Sequence, residues 1–308
     1  VHVAGTSTGN IWVTAALAVC TLVMIVANGL RLGGKAYLAH FCPGPLWLAH
    51  ADLSEASLRG ANLRRFTLFG ANLSKAVLSN ADLSECDLND ANLSESILIE
   101  VNFNKSNMTK ADLSGANLGG ANLSETNLGS AKLSHAMMNE ANLRNTNLRG
   151  AKLARATLSK ANLSGANLGG ADLTEARLAE ANMQGAKCIK ANLSGASLVD
   201  GILLDADLSR AILLGANLSR GNLNRTDLSE ANLSNATLND ADLSHANLSN
   251  ADLHGASFLT ANLCNANLSG ANLLNASLIK AKYNSSTIWP DGFDPQAAEA
   301  ILVQDENS

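Results

Sequence analysis

The most regular feature of the chain is an apolar residue at every fifth position. Of the 47 positions taken in steps of five from Leu53 to Tyr283, 40 are Leu, and two residues earlier in each unit 37 of the 47 are Ala. The other residues at the Leu position are apolar or can be buried, namely Phe103, Met108, Met138, Met183, Cys188, Phe258 and Tyr283. Because no insertion breaks the register, residues 51–283 are predicted to form one repeat array.

The odd length of the repeat selects the backbone conformation. A five-residue step rotates an α-helix by about 140°, which would spread the leucines over every side. In an extended chain, Ala and Leu two residues apart share one face, and the Asn or Asp between them takes the other. Since five is odd, a straight strand would reverse its buried face with each unit. The chain is therefore predicted to turn once per unit, at the two residues after Leu, and to wind into an all-β solenoid.

The residue between Ala and Leu indicates the number of sides. Asn or Asp fills 19 of the 24 positions 52, 62 and so on to 282, but only 11 of the 23 alternate positions from 57 to 277. This ten-residue superperiod requires an even number of units per coil, and two units enclose no interior. Four units per coil are therefore predicted. Asn columns spaced by twenty residues are expected to form side-chain ladders, for example Asn122, Asn142, Asn162 and Asn182.

Units such as Ala71-Asn72-Leu73-Ser74-Lys75 resemble the pentapeptide-repeat family, whose pattern is A-(D/N)-L-x-x. The resemblance implies a right-handed quadrilateral β-helix, here of about twelve coils and roughly 55 Å long at about 4.8 Å per coil. The tail from Tyr283 to Pro295 resembles an ending common in cyanobacterial members. The activities of the family are diverse, so the resemblance implies a fold and leaves the function open.

Both ends of the array need a cap, because an uncovered strand edge exposes unpaired backbone groups. Residues 46–48 (Leu-Trp-Leu) are in register with the array and are expected to start it. At the other end, Trp289 and Phe293 are expected to cover the last coil. Asp294-Pro295, as N-cap and first helical residue, then predicts a short capping helix from Gln296 to Val303.

Residues 11–30 carry no charged side chain. At about 1.5 Å per residue they would form a helix about 30 Å long, enough to cross the hydrocarbon layer of a bilayer. A buried helix of a soluble domain and a signal peptide are the alternatives; the array offers no cavity for the first, and no basic residue precedes Ile11 for the second. The predicted organisation is an N-terminal segment 1–10, a transmembrane helix 11–30, a linker and N-terminal cap 31–50, the array 51–283, and a C-terminal cap and tail 284–308.

The charges beside the apolar segment predict an orientation. Arg31 and Lys35 follow it directly, and no Lys or Arg precedes it. The positive-inside rule then places the array on the cytoplasmic side of a single-pass protein of the thylakoid or plasma membrane. The chain begins with Val1 rather than Met, and the orientation holds if no further span precedes it.

Composition excludes several classes of protein. Only 16% of the residues are charged and 46% are hydrophobic, which is too apolar for a disordered chain. The net charge is −5, and residues 51–283 carry 22 acids against 20 bases, so a basic nucleic-acid binder is excluded. The five cysteines are far apart and form no CxxC pair, which argues against a disulfide framework or zinc site and favours a reducing compartment.

No pattern predicts an enzyme, a cofactor site or a metal site. Uninterrupted coils supply no loop that would form a cleft with convergent polar groups. Cys86 and Cys188 fall at inward positions and are interpreted as small core residues. The residues with ligand or catalytic chemistry at other positions are interpreted as surface or loop residues: His40, Cys42, His50, His135, His245 and His254.

The outward positions supply the candidate contacts for a partner protein or for a second copy of the chain. One apolar group is expected on one side, within neighbouring coils: Val77, Ile97 and Ile99. A second pair lies near the carboxyl end: Leu259 and Ile279. A third cluster has halves on opposite sides: Ile202 with Leu204, and Ile212 with Leu214. A basic stretch is interpreted either as a solvated face or as a docking site for an acidic protein or anionic headgroups: Lys132, Arg144, Arg149, Lys152, Arg155 and Lys160.

Two functions from different classes follow. The leading hypothesis is a membrane-tethered scaffold, in which residues 11–30 enter the lipid bilayer and the flat β faces hold protein partners of a photosynthetic or other membrane complex. The alternative is a soluble regulator that resembles the quinolone-resistance members of the family, which imitate DNA and bind gyrase. That mechanism needs a strongly acidic stripe, and the nearly neutral array does not supply one.

Overall fold

The computed structural model describes residues 48–304, which form a four-sided parallel β-solenoid. Each residue between Ala and Leu forms a parallel bridge with the residue twenty positions later, as Asn72 does with Asn92. The four columns of bridges define face 1 (positions 52 to 272), face 2 (57 to 277), face 3 (62 to 282) and face 4 (67 to 267). The predicted four-sided coil of twenty residues is therefore confirmed.

Backbone hydrogen bonds between neighbouring coils hold the solenoid together. In face 1 the Asn72 N–H donates to the Ala51 carbonyl in the preceding coil at 2.9 Å, and the Leu73 N–H donates to the Asn92 carbonyl in the next coil at 2.6 Å. The same two bonds recur on every face, so backbone hydrogen bonds form a continuous ladder from each coil to the next. Regular strands of two residues occur only at the carboxyl end of the described range, as β1 (Lys282–Tyr283) and β2 (Ile301–Leu302), which pair in parallel.

Each corner is a β-turn that begins at the inward Leu. The Ala76 N–H donates to the Leu73 carbonyl at 3.1 Å, and Lys75, the third residue of this turn, has a φ of 58°. A single positive φ at the third residue is typical of a type II turn. The left-handed conformation recurs at all corner positions from His50 to Lys280, at Glu, Lys and Arg as well as at Gly and Asn. The predicted corner after each Leu is confirmed.

The interior is filled by the inward side chains. Leucines in the middle of the array, such as Leu163, have no exposed surface, and neither have the larger residues Phe103 and Phe258. Cys86 and Cys188 are buried as predicted. Burying one Leu side chain stabilises a fold by about 2 kcal/mol. Because inward leucines recur in every coil and pack against those of the neighbouring coils, the stability is distributed along the whole rod.

Amide ladders run along the outside. Asn122 Nδ2 donates to Asn102 Oδ1 at 3.0 Å, and Asn142 Nδ2 donates to Asn122 Oδ1 at 3.3 Å. Asn122 Oδ1 also accepts the N–H of Ser124 at 3.2 Å, which fixes the following corner. Within the described residues, the predicted ladder stops at Asn142, because Asn162 and Asn182 bond only to the N–H groups of their own turns, at 3.1 and 3.0 Å. Asp makes the same turn bond, as Asp172 does, which explains why Asn and Asp are both favoured at this position.

A column of buried hydroxyls replaces Ala at the start of face 4. Thr146 has no exposed surface, and its Oγ1 donates to the Leu123 carbonyl of the preceding coil at 2.7 Å. Thr126 and Ser106 make the equivalent bonds to the carbonyls of Phe103 and Leu83. These side chains add a bond between coils where Ala offers none. In the sequence these residues are departures from Ala at that position of the repeat.

This column gives a prediction with a matched control. Replacing Thr146 by Val keeps the shape and removes one buried hydrogen bond, so the free energy of unfolding should fall by about 1 kcal/mol. Thr157 is the control, because its Oγ1 is buried without a hydrogen-bond partner among the described residues, and Thr157→Val should be neutral or stabilising. Urea unfolding followed by circular dichroism measures both. Equal losses in the two variants would contradict the assigned role of the hydroxyl.

The array begins at Leu48, which is buried and whose N–H donates to the Thr67 carbonyl at 2.8 Å. At the other end, Tyr283, Trp289 and Phe293 form an aromatic cluster against the last coil. The Tyr283 and Trp289 rings are 5.5 Å apart, and the Trp289 and Phe293 rings stack at 5.2 Å. The predicted aromatic cover is confirmed.

The predicted capping helix from Gln296 to Val303 is wrong. Asp294 Oδ1 does accept the N–H groups of Gln296 and Ala297, at 3.0 and 3.2 Å, as an N-cap should. The turn then closes at once, because Glu299 has a φ of 61° and the Ala300 N–H donates to the Pro295 carbonyl at 3.0 Å. The chain continues instead as β2, which pairs with β1 and extends the solenoid on face 3.

The predicted transmembrane helix 11–30 lies outside the described residues. Within residues 48–304, we find no helix with the length and hydropathy of a membrane span.

Candidate interaction surface

Ion pairs along the corners connect neighbouring coils. Arg220 forms two bonds to Asp200, at 2.8 and 2.7 Å, and Arg225 does the same with Asp205, at 2.7 and 3.1 Å. Hydrogen bonds from the guanidinium groups hold the pKa of both carboxyls below its ordinary value. These side chains are exposed, so solvent screens each pair and the pair adds little to stability. Their charges are neutralised locally, which leaves them poorly suited to attract a charged partner.

The basic stretch found in the sequence is not a single surface. Its six residues are exposed but lie on different sides: Lys132 and Lys152 on face 1, Arg144 on face 3, Arg149 on face 4, and Arg155 and Lys160 at the two corners that border face 2. Three of them are also paired with acids, since Lys132 bonds to Asp112 at 3.2 Å, and Arg155 and Lys160 pair with Glu175 and Glu180. The six basic residues therefore do not form one surface to which an acidic partner could bind.

The apolar candidates of the first two groups, by contrast, all lie on face 2, and the two groups are eight coils apart. Val77 and Ile97 bridge each other on face 2, with Ile99 two residues along. Leu259 and Ile279 lie at the equivalent position to Ile99, near the other end of the same face. All except the half-buried Val77 are close to 40% exposed. Two groups of residues at least 160 positions apart in the sequence thus share one side of the rod.

Face 2 differs from the other three faces in its chemistry. Asn or Asp occupies 9 of 12 bridge positions on face 1, 10 of 12 on face 3 and 9 of 11 on face 4, but only 2 of 12 on face 2. The bridge positions of face 2 and the residues two places after them carry only two charges, Arg59 and Arg177. The exposed Met137 and the half-buried Val199 add to its apolar residues. Face 2 is therefore a flat side without an amide ladder and nearly without charge.

The third apolar cluster divides as predicted. Ile202 and Leu204 lie on face 3, and Ile212 and Leu214 lie on the opposite face 1. The two halves cannot contact one flat surface together. Each half remains an isolated aliphatic spot, of the kind that is common on soluble proteins.

The described residues offer little for catalysis or metal binding. A shallow, open depression of about 230 Å³ lies among Ser124, Glu125, Asn142, Arg144 and Asn145. In residues 48–304, no group of three or more His, Cys, Asp or Glu side chains is arranged to hold a metal ion. His135 and His245 are exposed corner residues with positive φ, as the sequence predicts.

Two cysteines give a prediction about reactivity. Burial raises the pKa of the Cys86 and Cys188 thiols to about 12, so the reactive thiolate is scarce at pH 8. Both should react with a disulfide reagent such as DTNB only when their coils open. In mass-spectrometric mapping, labelling of both sites should rise at least about a hundredfold in denaturant relative to native protein. Fast native labelling of Cys188 would contradict its place in the core.

A family model for pentapeptide repeats matches the chain in consecutive copies over nearly the whole array: residues 48–84, 86–125, 126–165, 158–187, 186–229, 226–259 and 260–282. The chain belongs to the pentapeptide-repeat family. Members of this family are generally non-enzymatic structural or interaction proteins. A search among curated proteins gave no significant match.

Several solved structures of pentapeptide-repeat proteins are similar to this chain. HetL from the cyanobacterium Nostoc sp. strain PCC 7120, which is involved in heterocyst differentiation regulation, is 31% identical over 85% of this chain and 99% of its own, with a TM-score of 0.40. The Nostoc protein alr5209 is 42% identical over 32% of this chain and 84% of its own, with a TM-score of 0.25. QnrB1, a plasmid-mediated fluoroquinolone resistance protein, is 17% identical over 68% of this chain and 88% of its own, with a TM-score of 0.38. At that identity the likeness to QnrB1 concerns the fold alone.

Proposed function

We propose that this pentapeptide-repeat protein is a non-enzymatic scaffold that presents a rigid rod to protein partners. The observation that carries the proposal is face 2, which lacks the Asn and Asp column of the other faces: Ser or Thr fills 6 of its 12 bridge positions, and Val77, Ile97 and Met137 fill three. Exposed apolar side chains that share one side of a protein are typical of contact surfaces, so we attribute the exposed Ile97, Leu259 and Ile279 to contact with another molecule. The rest of the surface, with its paired charges, keeps the rod soluble.

The proposal extends to a membrane tether. Residues 11–30 have the length and composition of a single span, and Arg31 and Lys35 favour a cytoplasmic array. A tethered rod of about twelve coils would hold its partners within roughly 55 Å of the bilayer. Because the tail sequence resembles an ending common in cyanobacterial members, the proposed location is a thylakoid or plasma membrane.

Membrane fractionation tests the tether. The full-length protein should stay in the membrane pellet through high-salt and carbonate washes, which remove peripheral proteins, and should be released by detergent. A variant that lacks residues 11–30 is the control and should be recovered in the supernatant. Release of the full-length protein by carbonate would remove the tether from the proposal and leave the scaffold role to be tested on its own.

A further inference from the structure

We propose that face 2 carries a binding site for a protein segment that presents aliphatic side chains next to a lysine or arginine. The site is the Ile97 patch, defined here as Val77, Ile97, Ile99 and Met137 together with Glu100 and Glu140. This inference rests on the scaffold function proposed above and specifies which surface acts and what it recognises.

The patch follows one column of bridge positions along the rod, in which Asn117 separates Met137 from Val77 and Ile97. Val77, Ile97, Asn117 and Met137 follow one another through parallel bridges, so the stripe covers three coil steps, or about 14 Å. Ile97 is 40% exposed and Met137 is 42% exposed. Their side chains stand out from a flat β surface, and a segment laid along the rod would contact each of them.

Two carboxylates line one edge of the stripe. Glu100 and Glu140 occupy the corner between faces 2 and 3, two coils apart, which is about 10 Å. Between them the corner is Gly120, and a Cβ at Gly120 would lie 3.5 Å from Glu100 Cγ. The Glu100 side chain therefore extends over the glycine, in the direction of Glu140. The gap left by Gly120 gives a cation from a partner access to both carboxylates.

Two of the other acids on this corner are in ion pairs, and the third, Asp240, accepts a hydrogen bond from the Thr260 hydroxyl, which distinguishes them from Glu100 and Glu140. Lys160 pairs with Glu180 at 3.7 Å, and Arg220 pairs with Asp200 at 2.7 Å. In residues 48–304, neither Glu100 nor Glu140 has a cationic side chain within 4.0 Å. Unpaired negative charge beside an apolar stripe favours a partner with the complementary order, an aliphatic centre and a basic flank.

The charges also argue against two other occupants. Anionic headgroups of a bilayer would be repelled by carboxylates at the edge of the patch. At the corners bordering face 2 of a second copy, Lys75, Arg155, Lys160 and Arg220 are already paired with acids. The cations that remain on or beside that face, Arg59, Arg177 and Lys280, are about five coils or more from one another, whereas Glu100 and Glu140 are two coils apart. A different protein with a basic flank fits the patch best.

Site-specific photocrosslinking tests this in membranes of cells that produce the full-length chain. A photoreactive phenylalanine analogue at Ile99 is compared with the same probe at Thr109, the equivalent position on the opposite face 4 of the same coil, and at Ser159, three coils along face 2. The probe at Ile99 should give a protein adduct in much higher yield than either control. Sequencing of the crosslinked peptide should find Lys or Arg within about four residues of the attachment site.

Charge variants in the same background complete the test. Glu100→Gln combined with Glu140→Gln should lower the adduct yield at Ile99 by about fivefold, as expected for two exposed ion pairs. Glu55→Gln, at the other corner bordering face 2, is the matched control and should leave the yield unchanged. Circular dichroism melting of each purified variant confirms that the rod is folded.

Every other outcome overturns the inference in a recognisable way. Adducts to lipid or to a second copy of the chain would assign the patch to the bilayer or to self-association. An adduct peptide without Lys or Arg would refute the proposal, because the two carboxylates would then have no cation to bind. So would an adduct yield that stays unchanged in the variant with Glu100→Gln and Glu140→Gln. Protein adducts at Thr109 alone would refute the patch but keep the scaffold function. Absence of protein adducts from every probe position would refute both.

Discussion

Replacing Leu163 by aspartate should lower the free energy of unfolding by at least about 4 kcal/mol, because the new carboxylate would lie in an apolar interior without a partner. Leu163 has no exposed surface, and the inward residues in the neighbouring coils are Leu143 and Met183, which are equally buried. The interior of the rod is closed on four sides, so water does not reach this position. Urea unfolding monitored by circular dichroism measures the loss.

The neighbouring Asn162→Asp is the matched control for this variant. Asn162 faces outward on face 3, and its Oδ1 accepts the N–H of Ser164 at 3.1 Å. Asp172 makes the same bond to the N–H of Thr174, also at 3.1 Å, so an aspartate can take this role. The free energy of unfolding should change by less than about 0.5 kcal/mol. Similar losses from the two adjacent substitutions would contradict the alternation of inward and outward side chains.

The architecture could be predicted because one physical constraint acts at every unit. An odd repeat cannot keep one face buried in a straight strand, so a corner is required after each Leu. The structure places those corners at positions such as Ser74 and Lys75. The same constraint predicts that the exceptions at the Leu position, from Phe103 to Phe258, are buried, as they are.

The special character of face 2 could have been found in the sequence but was not. A ten-residue period puts the bridge positions of face 2 and face 4 into one set, in which Asn or Asp fills 11 of 23 positions. Taken separately, face 2 has Asn or Asp at 2 of 12 positions and face 4 at 9 of 11. A twenty-residue period would have separated them. With a ten-residue period the apolar residues from Val77 to Ile279 appear as separate pairs, because their common side depends on the twenty-residue period.

Other features were missed because they depend on contacts between coils or on the end of the chain. The basic stretch from Lys132 to Lys160 is continuous in sequence, yet the corners distribute it around the rod. The sequence after Asp294 has the cap and the composition of a helix, and local propensity favours one. Pairing of β2 with β1 satisfies the exposed edge of the last coil instead, and this tertiary contact outweighs the propensity.

Removing the carboxyl-terminal cap should convert the rod into a self-associating protein. A chain that ends at Ile288 loses the Trp289 and Phe293 rings and all of β2, so the carbonyls of Ala281 and Tyr283 lose their partners Ile301 and Val303. The result is an uncovered strand edge beside the inward apolar residues of the last coil. Loss of a packed Trp alone typically costs about 3 kcal/mol or more, and in a linear array that loss falls on the terminal coils.

Sedimentation velocity of the detergent-solubilised protein measures the effect. The truncated chain should form concentration-dependent multimers, and its terminal coils should lose amide protection in hydrogen exchange while coils near Leu143 keep theirs. A chain that ends at Gln304 keeps both the aromatic cluster and β2 and is the matched control. If the shorter chain matches this control in size and in protection, the end of the solenoid is stable without its cover. The segment after Ile288 would then need another role than capping.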